Sequence, residues 1–125
     1  MKLYAIKENH LYAKAYKNGK RAAATHICVY VLSDYHAARL QKAHPQKKRI
    51  NRVGLTATKK LGGAVVRNRT KRIMREAYYK AEKTHKIKTG CLVVIAAREA
   101  ATHAKTDDIY KDLIYALRRL GMILP

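Results

Sequence analysis

Apolar and polar positions along the chain change period several times, and each change predicts an element. In NHLYAKAYKNG, Leu11, Tyr12, Ala15 and Tyr16 recur at helical spacing between Asn9 as a cap and Gly19 as a left-handed stop. A first helix is therefore predicted over about residues 10 to 18. The stretch AAATHICVYVL then alternates, placing Ile27, Val29 and Val31 on one face of a strand and His26, Cys28 and Tyr30 on the other. Residues 34 to 51, DYHAARLQKAHPQKKRIN, lose that pattern: an Ala-rich half suits a helical turn or two before Pro45, and Lys47, Lys48 and Arg49 make the rest a basic loop. RVGLTAT reads as a second strand, LGGA as a turn, and the segment after it as a long helix ending near Thr84. THKIKTG then connects to a buried strand, CLVVIAAR. The last helix is predicted to start at Thr106 as its cap. Asp107 and Asp108 in its first turn and Arg118 and Arg119 in its last match the helix dipole, and Gly121 ends it. The order helix, strand, strand, helix, strand, helix predicts a single α+β domain in which a sheet is packed with three helices.

The long helix has two unlike faces. At about 100° per residue, Val66, Thr70, Ile73 and Ala77 gather on one side, and Asn68, Lys71, Arg72, Arg75 and Tyr79 on the other. Arg67 and Arg69 flank the basic side, and Lys59 and Lys60 precede the Gly62-Gly63 turn that starts the helix. A polar face that is basic by chance is the bland alternative. Solvated helices, however, usually mix charge signs to gain i,i+4 pairs, whereas Glu76 is the lone acid among the charged residues from 59 to 81. Arginine also prevails over lysine within the helix, and a planar guanidinium grips phosphate with two bonds or stacks on a base. The pattern points to a polyanion.

Composition extends that inference to the whole chain. Its 125 residues suit one domain, and 28 Lys and Arg against 8 Asp and Glu leave a net charge of +20. Such a charge favours nucleic acid as partner, with an anionic membrane surface second. The longest apolar run, CLVVIAA, is far too short to cross a bilayer, so no membrane span is expected. The first residues carry no apolar signal core, which makes the cytoplasm the expected location. Cys28 and Cys91 lack metal-site or redox-motif spacing and are expected to be buried free thiols rather than a disulfide. The six histidines are scattered and form no metal-ligand pair. The acids offer one tight group, residues 107 to 112, better explained as a helix start than as a metal-dependent nuclease site. No catalytic residue and no protein-bound metal are expected.

The segment KKLGGAVVRNRTKRIMREAYY resembles the RNR signature of the protein subunit of bacterial ribonuclease P, through Lys59, Lys60, Gly62, Ala64, Val65, Arg67, Asn68, Arg69, Lys71, Arg72 and Arg75. RVGLTATKK resembles the strand before that signature, and KENHLYAKAYKNGKR the family's N-terminal helix, so the likeness covers most of residues 7 to 120. The resemblance implies a mostly antiparallel sheet with a left-handed βαβ crossover, against the usual right-handed rule. It further implies that Lys59, Lys60, Arg67, Asn68, Arg69, Lys71, Arg72 and Arg75 contact a catalytic RNA, while Tyr12, Tyr16 and Tyr30 line a cleft for the 5′ leader of precursor tRNA. Magnesium and the cleavage step would then belong to the RNA, with no obligate protein partner and no membrane. Two departures stand out. Tyr12 and Tyr16 replace the phenylalanines common in the family, and the basic insertion at about 34 to 51 replaces a short connection. Tyrosine still stacks a base, although Tyr12 and Tyr16 could instead staple the first helix to the sheet. The alternative function is a structural RNA-binding protein such as a ribosomal protein, which would have the same charge but no need of a leader cleft.

Overall fold

The computed structural model describes residues 5 to 34 and 51 to 125. The expected helical turns and basic loop before Asn51 lie outside the described residues. In chain order the elements are α1 (Asn9–Asn18), β1 (Lys20–Ala23), β2 (Ile27–Ser33), β3 (Arg52–Thr56), α2 (Ala64–Thr84), β4 (Lys86–Ile87), β5 (Cys91–Ala97), α3 (Thr106–Arg119) and β6 (Ile123–Leu124). Short 3₁₀ turns at Lys59–Leu61 and Glu99–His103 precede α2 and α3. Strands β1, β2, β5 and β3 form one sheet in that order, with β1–β2 and β2–β5 antiparallel and β3–β5 parallel. The sheet is thus mostly antiparallel, as expected, and α2 lies in the connection between the parallel pair. Strands β4 and β6 pair separately.

Both faces of the sheet are occupied, as the alternation in β2 predicted. Ile27, Val29, Val31, Val53, Val93 and Ile95 face α2 and α3, where they join Ile73, Met74, Ala77, Tyr78, Ile109, Leu113 and Leu117 in the main core. Leu92 and Val94 face the other way, toward Ile6 and Ala15, with Leu11, Tyr12, Tyr30 and Leu32 packed around them. Helix α1 therefore covers the face that α2 and α3 leave uncovered. Full burial of a Leu or Ile is worth about 2 kcal/mol, so the larger cluster carries most of the cohesion.

Five local expectations need correction. Asn9 does not cap α1: it lies within the helix, Glu8 is the N-cap, and no side-chain bond caps that start. The single strand predicted from AAATHICVYVL is a hairpin: β1 pairs back on β2, and Ala24 N–H donates to Ile27 O at 2.8 Å across the turn. Three alanines and a Thr gave no turn signal, because bonds from His26 to Asp112 and from Arg98 to Ala24 O hold the corner. Gly19 is extended (φ −76°, ψ 158°), not left-handed. Its glycine is required by crowding, since a Cβ there would stand 2.5 Å from Ala15 O. Thr106 is not the cap of α3. Asp108 Oδ2 accepts the Lys105 N–H at 2.9 Å at that helix start, and Thr106 Oγ1 donates to Glu76 Oε2 at 3.0 Å, tying α3 to α2. Finally, Val66 does not help seat α2: it is 37% exposed, because burial along the helix begins only at Thr70. The two cysteines are free and buried.

Residues 34 and 51 are drawn together by the fold. Arg52 Nε and Nη2 donate to Asp34 Oδ2 and Oδ1 at 2.6 and 2.9 Å, and its Nη1 reaches Glu8 Oε2 at 3.3 Å. Asn51 Oδ1 accepts the Cys91 N–H at 2.9 Å while its amide donates to Lys88 O at 2.8 Å. The last residue of the insertion is thereby bound to the start of β5.

Candidate nucleic-acid interface

Helix α2 begins where Gly62 (φ +138°) makes a turn that an L side chain rarely adopts, after the 3₁₀ turn holding Lys59 and Lys60. Both lysines are exposed. Along the helix, Thr70, Ile73, Met74, Ala77, Tyr78 and Ala81 are buried, which turns Asn68, Arg72 and Arg75 outward and leaves Lys71 and Tyr79 half-buried at the margin. Arg72 Nη1 lies 3.4 Å from Glu76 Oε1, an exposed i,i+4 pair worth only ~0.5 kcal/mol.

The flanking arginines are placed differently. Arg69 donates from Nη1 to Thr102 O at 3.2 Å and from Nη2 to Ala104 O at 3.4 Å, so its guanidinium braces the turn before α3. Arg67 is half-buried, and its Nε is shielded from solvent with no hydrogen-bond partner among the described residues. A groove of about 520 Å³ opens beside them, lined by Leu61, Val65, Val66, Arg69, Thr102 and His103. Val65, 83% exposed, makes the signature surface partly apolar, which helical periodicity did not reveal.

Tyr12, Tyr16 and Tyr30 do come together, on the α1 side of the sheet. The Tyr16 and Tyr30 rings meet edge to face with centroids 4.7 Å apart. Tyr16 Oη lies 3.1 Å from Thr56 Oγ1, and Tyr12 donates to Ile6 O at 3.4 Å. Burial first, and the neighbouring Tyr16 second, push the Tyr12 hydroxyl above its ordinary pKa, so it remains a donor at neutral pH. The Tyr12 ring lies over Gly54 of β3, where a Cβ would approach Cε1 at 2.5 Å. Tyr12 thus works partly as the staple anticipated from sequence, whereas Tyr16 stays 42% exposed. Beside them Arg21 Nε donates to Cys28 Sγ at 3.0 Å. Gly54→Ala is expected to push the Tyr12 ring aside and lower stability by ~1–3 kcal/mol, read by urea denaturation. An unchanged midpoint would show that the ring can shift freely.

The acids hold the fold together pairwise. Asp107 Oδ1 accepts from Lys80 Nζ at 2.7 Å, Asp108 bonds the start of α3, and Asp112 Oδ2 accepts the His26 N–H at 2.7 Å, so the group at 107 to 112 points three ways. Among the described residues no three His, Cys, Asp or Glu side chains cluster as metal ligands, and no helix is long and apolar enough to cross a membrane.

Comparison with known proteins gives this arrangement a family. The Ribonuclease P family model matches residues 1 to 121. The ribonuclease P protein component of Listeria innocua is 32% identical over 98% of this chain and 92% of its own length, and that of Bacillus cereus strain B4264 is 33% identical over 97% and 94%. Among solved structures, the Staphylococcus aureus RNase P protein superposes with a TM-score of 0.75 at 29% identity, covering 98% of this chain and all of that one. The Thermotoga maritima RNase P protein, at 18% identity and a TM-score of 0.71, shares the fold. With its signature helix, its mixed sheet and these relatives taken together, the chain belongs to the ribonuclease P protein family, accessory subunits of the endoribonuclease that processes the 5′ leader of tRNA.

Proposed function

We infer that this protein binds the catalytic ribonuclease P RNA through the outer face of α2 and the 5′ leader of precursor tRNA over the tyrosines beneath α1. Lys59, Lys60, Asn68, Arg72 and Arg75 supply the exposed part of the first surface, with Arg67, Arg69 and the half-buried Lys71 at its edge. Tyr12, Tyr16 and Tyr30 supply the second. Magnesium is held mainly by the RNA, which performs the cleavage, and the cytoplasm is the place of action. The observation that carries this reading is the division of labour across the sheet: a basic helix face on one side and a packed tyrosine cluster on the other. A purely structural RNA-binding protein has use for the first and none for the second. Stacking on Tyr is tolerant of sequence, as recognition of varied leaders requires.

Reconstitution tests the reading. Purified protein mixed with a cognate ribonuclease P RNA at low magnesium should stimulate 5′ maturation of precursor tRNA, with no cleavage by protein alone. Tyr16→Ala should weaken binding of precursor tRNA by ~1–3 kcal/mol while leaving mature tRNA unaffected. Equal losses on both substrates would remove the tyrosines from leader recognition.

A further inference from the structure

A third surface is assigned by none of these relationships. Between the β1–β2 turn and α3 lies a groove of about 470 Å³, lined by Ala23, Ala24, Thr25, Arg98, Asp112 and Tyr115. Thr106, Asp107 and Tyr110 bond to α2, whereas Asp112 and Tyr115 stand on the opposite flank of α3. The groove is therefore separate from the α2 signature face, and the tyrosine cluster lies across the sheet from α3.

Its polar groups are held in place yet keep capacity for a ligand. Arg98 Nη1 donates to Ala24 O at 2.7 Å, which leaves the rest of its guanidinium without a partner among the described residues. His26 Nδ1 and the His26 backbone N–H both lie 2.7 Å from Asp112 Oδ2, so Oδ1 is the unengaged oxygen. Arg98 and Asp112 line one groove without forming an ion pair with each other. Tyr115, 49% exposed, is braced by Arg119, whose Nη1 donates to its hydroxyl at 3.1 Å and whose guanidinium carbon lies 5.8 Å from the ring centroid.

We propose that this groove takes an unpaired guanine of single-stranded RNA. The carboxylate in the lining repels a phosphate but accepts from a base. Guanine presents an adjacent acceptor pair, O6 and N7, to a guanidinium and carries N–H donors on its next edge for a carboxylate, whereas adenine sets a donor beside N7. Tyr115 supplies the stacking surface, and the net charge of +20 on the chain as a whole favours the anionic backbone. The groove's volume falls within the range of small-ligand sites.

Fluorescence anisotropy on the intact protein tests this, with uridine octamers carrying one central guanosine or one central adenosine. The guanosine oligomer should bind about tenfold more tightly, and Tyr115→Ala should abolish that ratio. Asp112→Asn should shift the preference away from guanosine. If it unfolds the protein by freeing His26, Tyr115→Ala, an exposed position, carries the test alone. Arg72→Ala with Arg75→Ala should weaken both oligomers alike and leave the ratio standing, so failure of the α2 assignment is distinguishable from failure here. Equal affinity for the two oligomers, or a guanosine preference that survives Tyr115→Ala, overturns the proposal.

Discussion

Replacing Arg72 and Arg75 together by alanine is expected to weaken binding of the catalytic RNA by ~3 kcal/mol, about a hundredfold, at ~1.5 kcal/mol per lost charged contact. The slope of log affinity against log salt should become shallower by roughly one unit for each phosphate contact removed. Stability should hardly change, because both residues are exposed and the Arg72–Glu76 pair is a surface contact. Filter binding across a salt series measures both quantities. Unchanged affinity and slope would remove α2 from the RNA interface. Arg69→Ala is a poor substitute for this experiment, since it also cuts the bonds to Thr102 O and Ala104 O that brace the turn before α3.

The second large effect concerns stability. Arg52→Met is expected to destabilise the fold by ~3–5 kcal/mol, because it strips the guanidinium from Asp34, whose side chain is only 2% exposed. Arg52 also joins Glu8, just before α1, to β3, so its loss loosens the seating of the helix that carries Tyr12 and Tyr16. Asp34→Asn in the Arg52→Met background removes the buried charge and should restore part of the loss. Urea denaturation of the two variants checks this. A single-variant loss under ~1 kcal/mol would mean that the pair is not a clamp on the fold.

Helix α2 was legible almost residue by residue. Its start is set by Gly62 and Gly63 and its buried face by the spacing of Thr70, Ile73 and Ala77, both of which are local properties. Strand β5 was equally plain, since a short apolar run bounded by polar residues has few other places to go. The β1–β2 corner was not legible. It is held by His26 bonding to Asp112 and Arg98 bonding to Ala24 O, partners 86 and 74 residues apart in sequence. No turn residue was needed locally, so none is present.

The roles of the basic residues divide along the same line. Periodicity correctly turned Asn68, Arg72 and Arg75 away from the core, because that follows from helix geometry alone. It could not distinguish them from Arg69 and Arg52, which the folded chain engages with carbonyls and carboxylates from distant segments. Nor could it show that Tyr12 rests on Gly54 while Tyr16 remains open to a ligand. By itself the sequence determined the charge, the two-faced helix and the family likeness, all set by residue type and short-range spacing. Only the tertiary structure decided which cations are committed to the fold and which stay exposed at its surface, because the competing acceptors come from other elements.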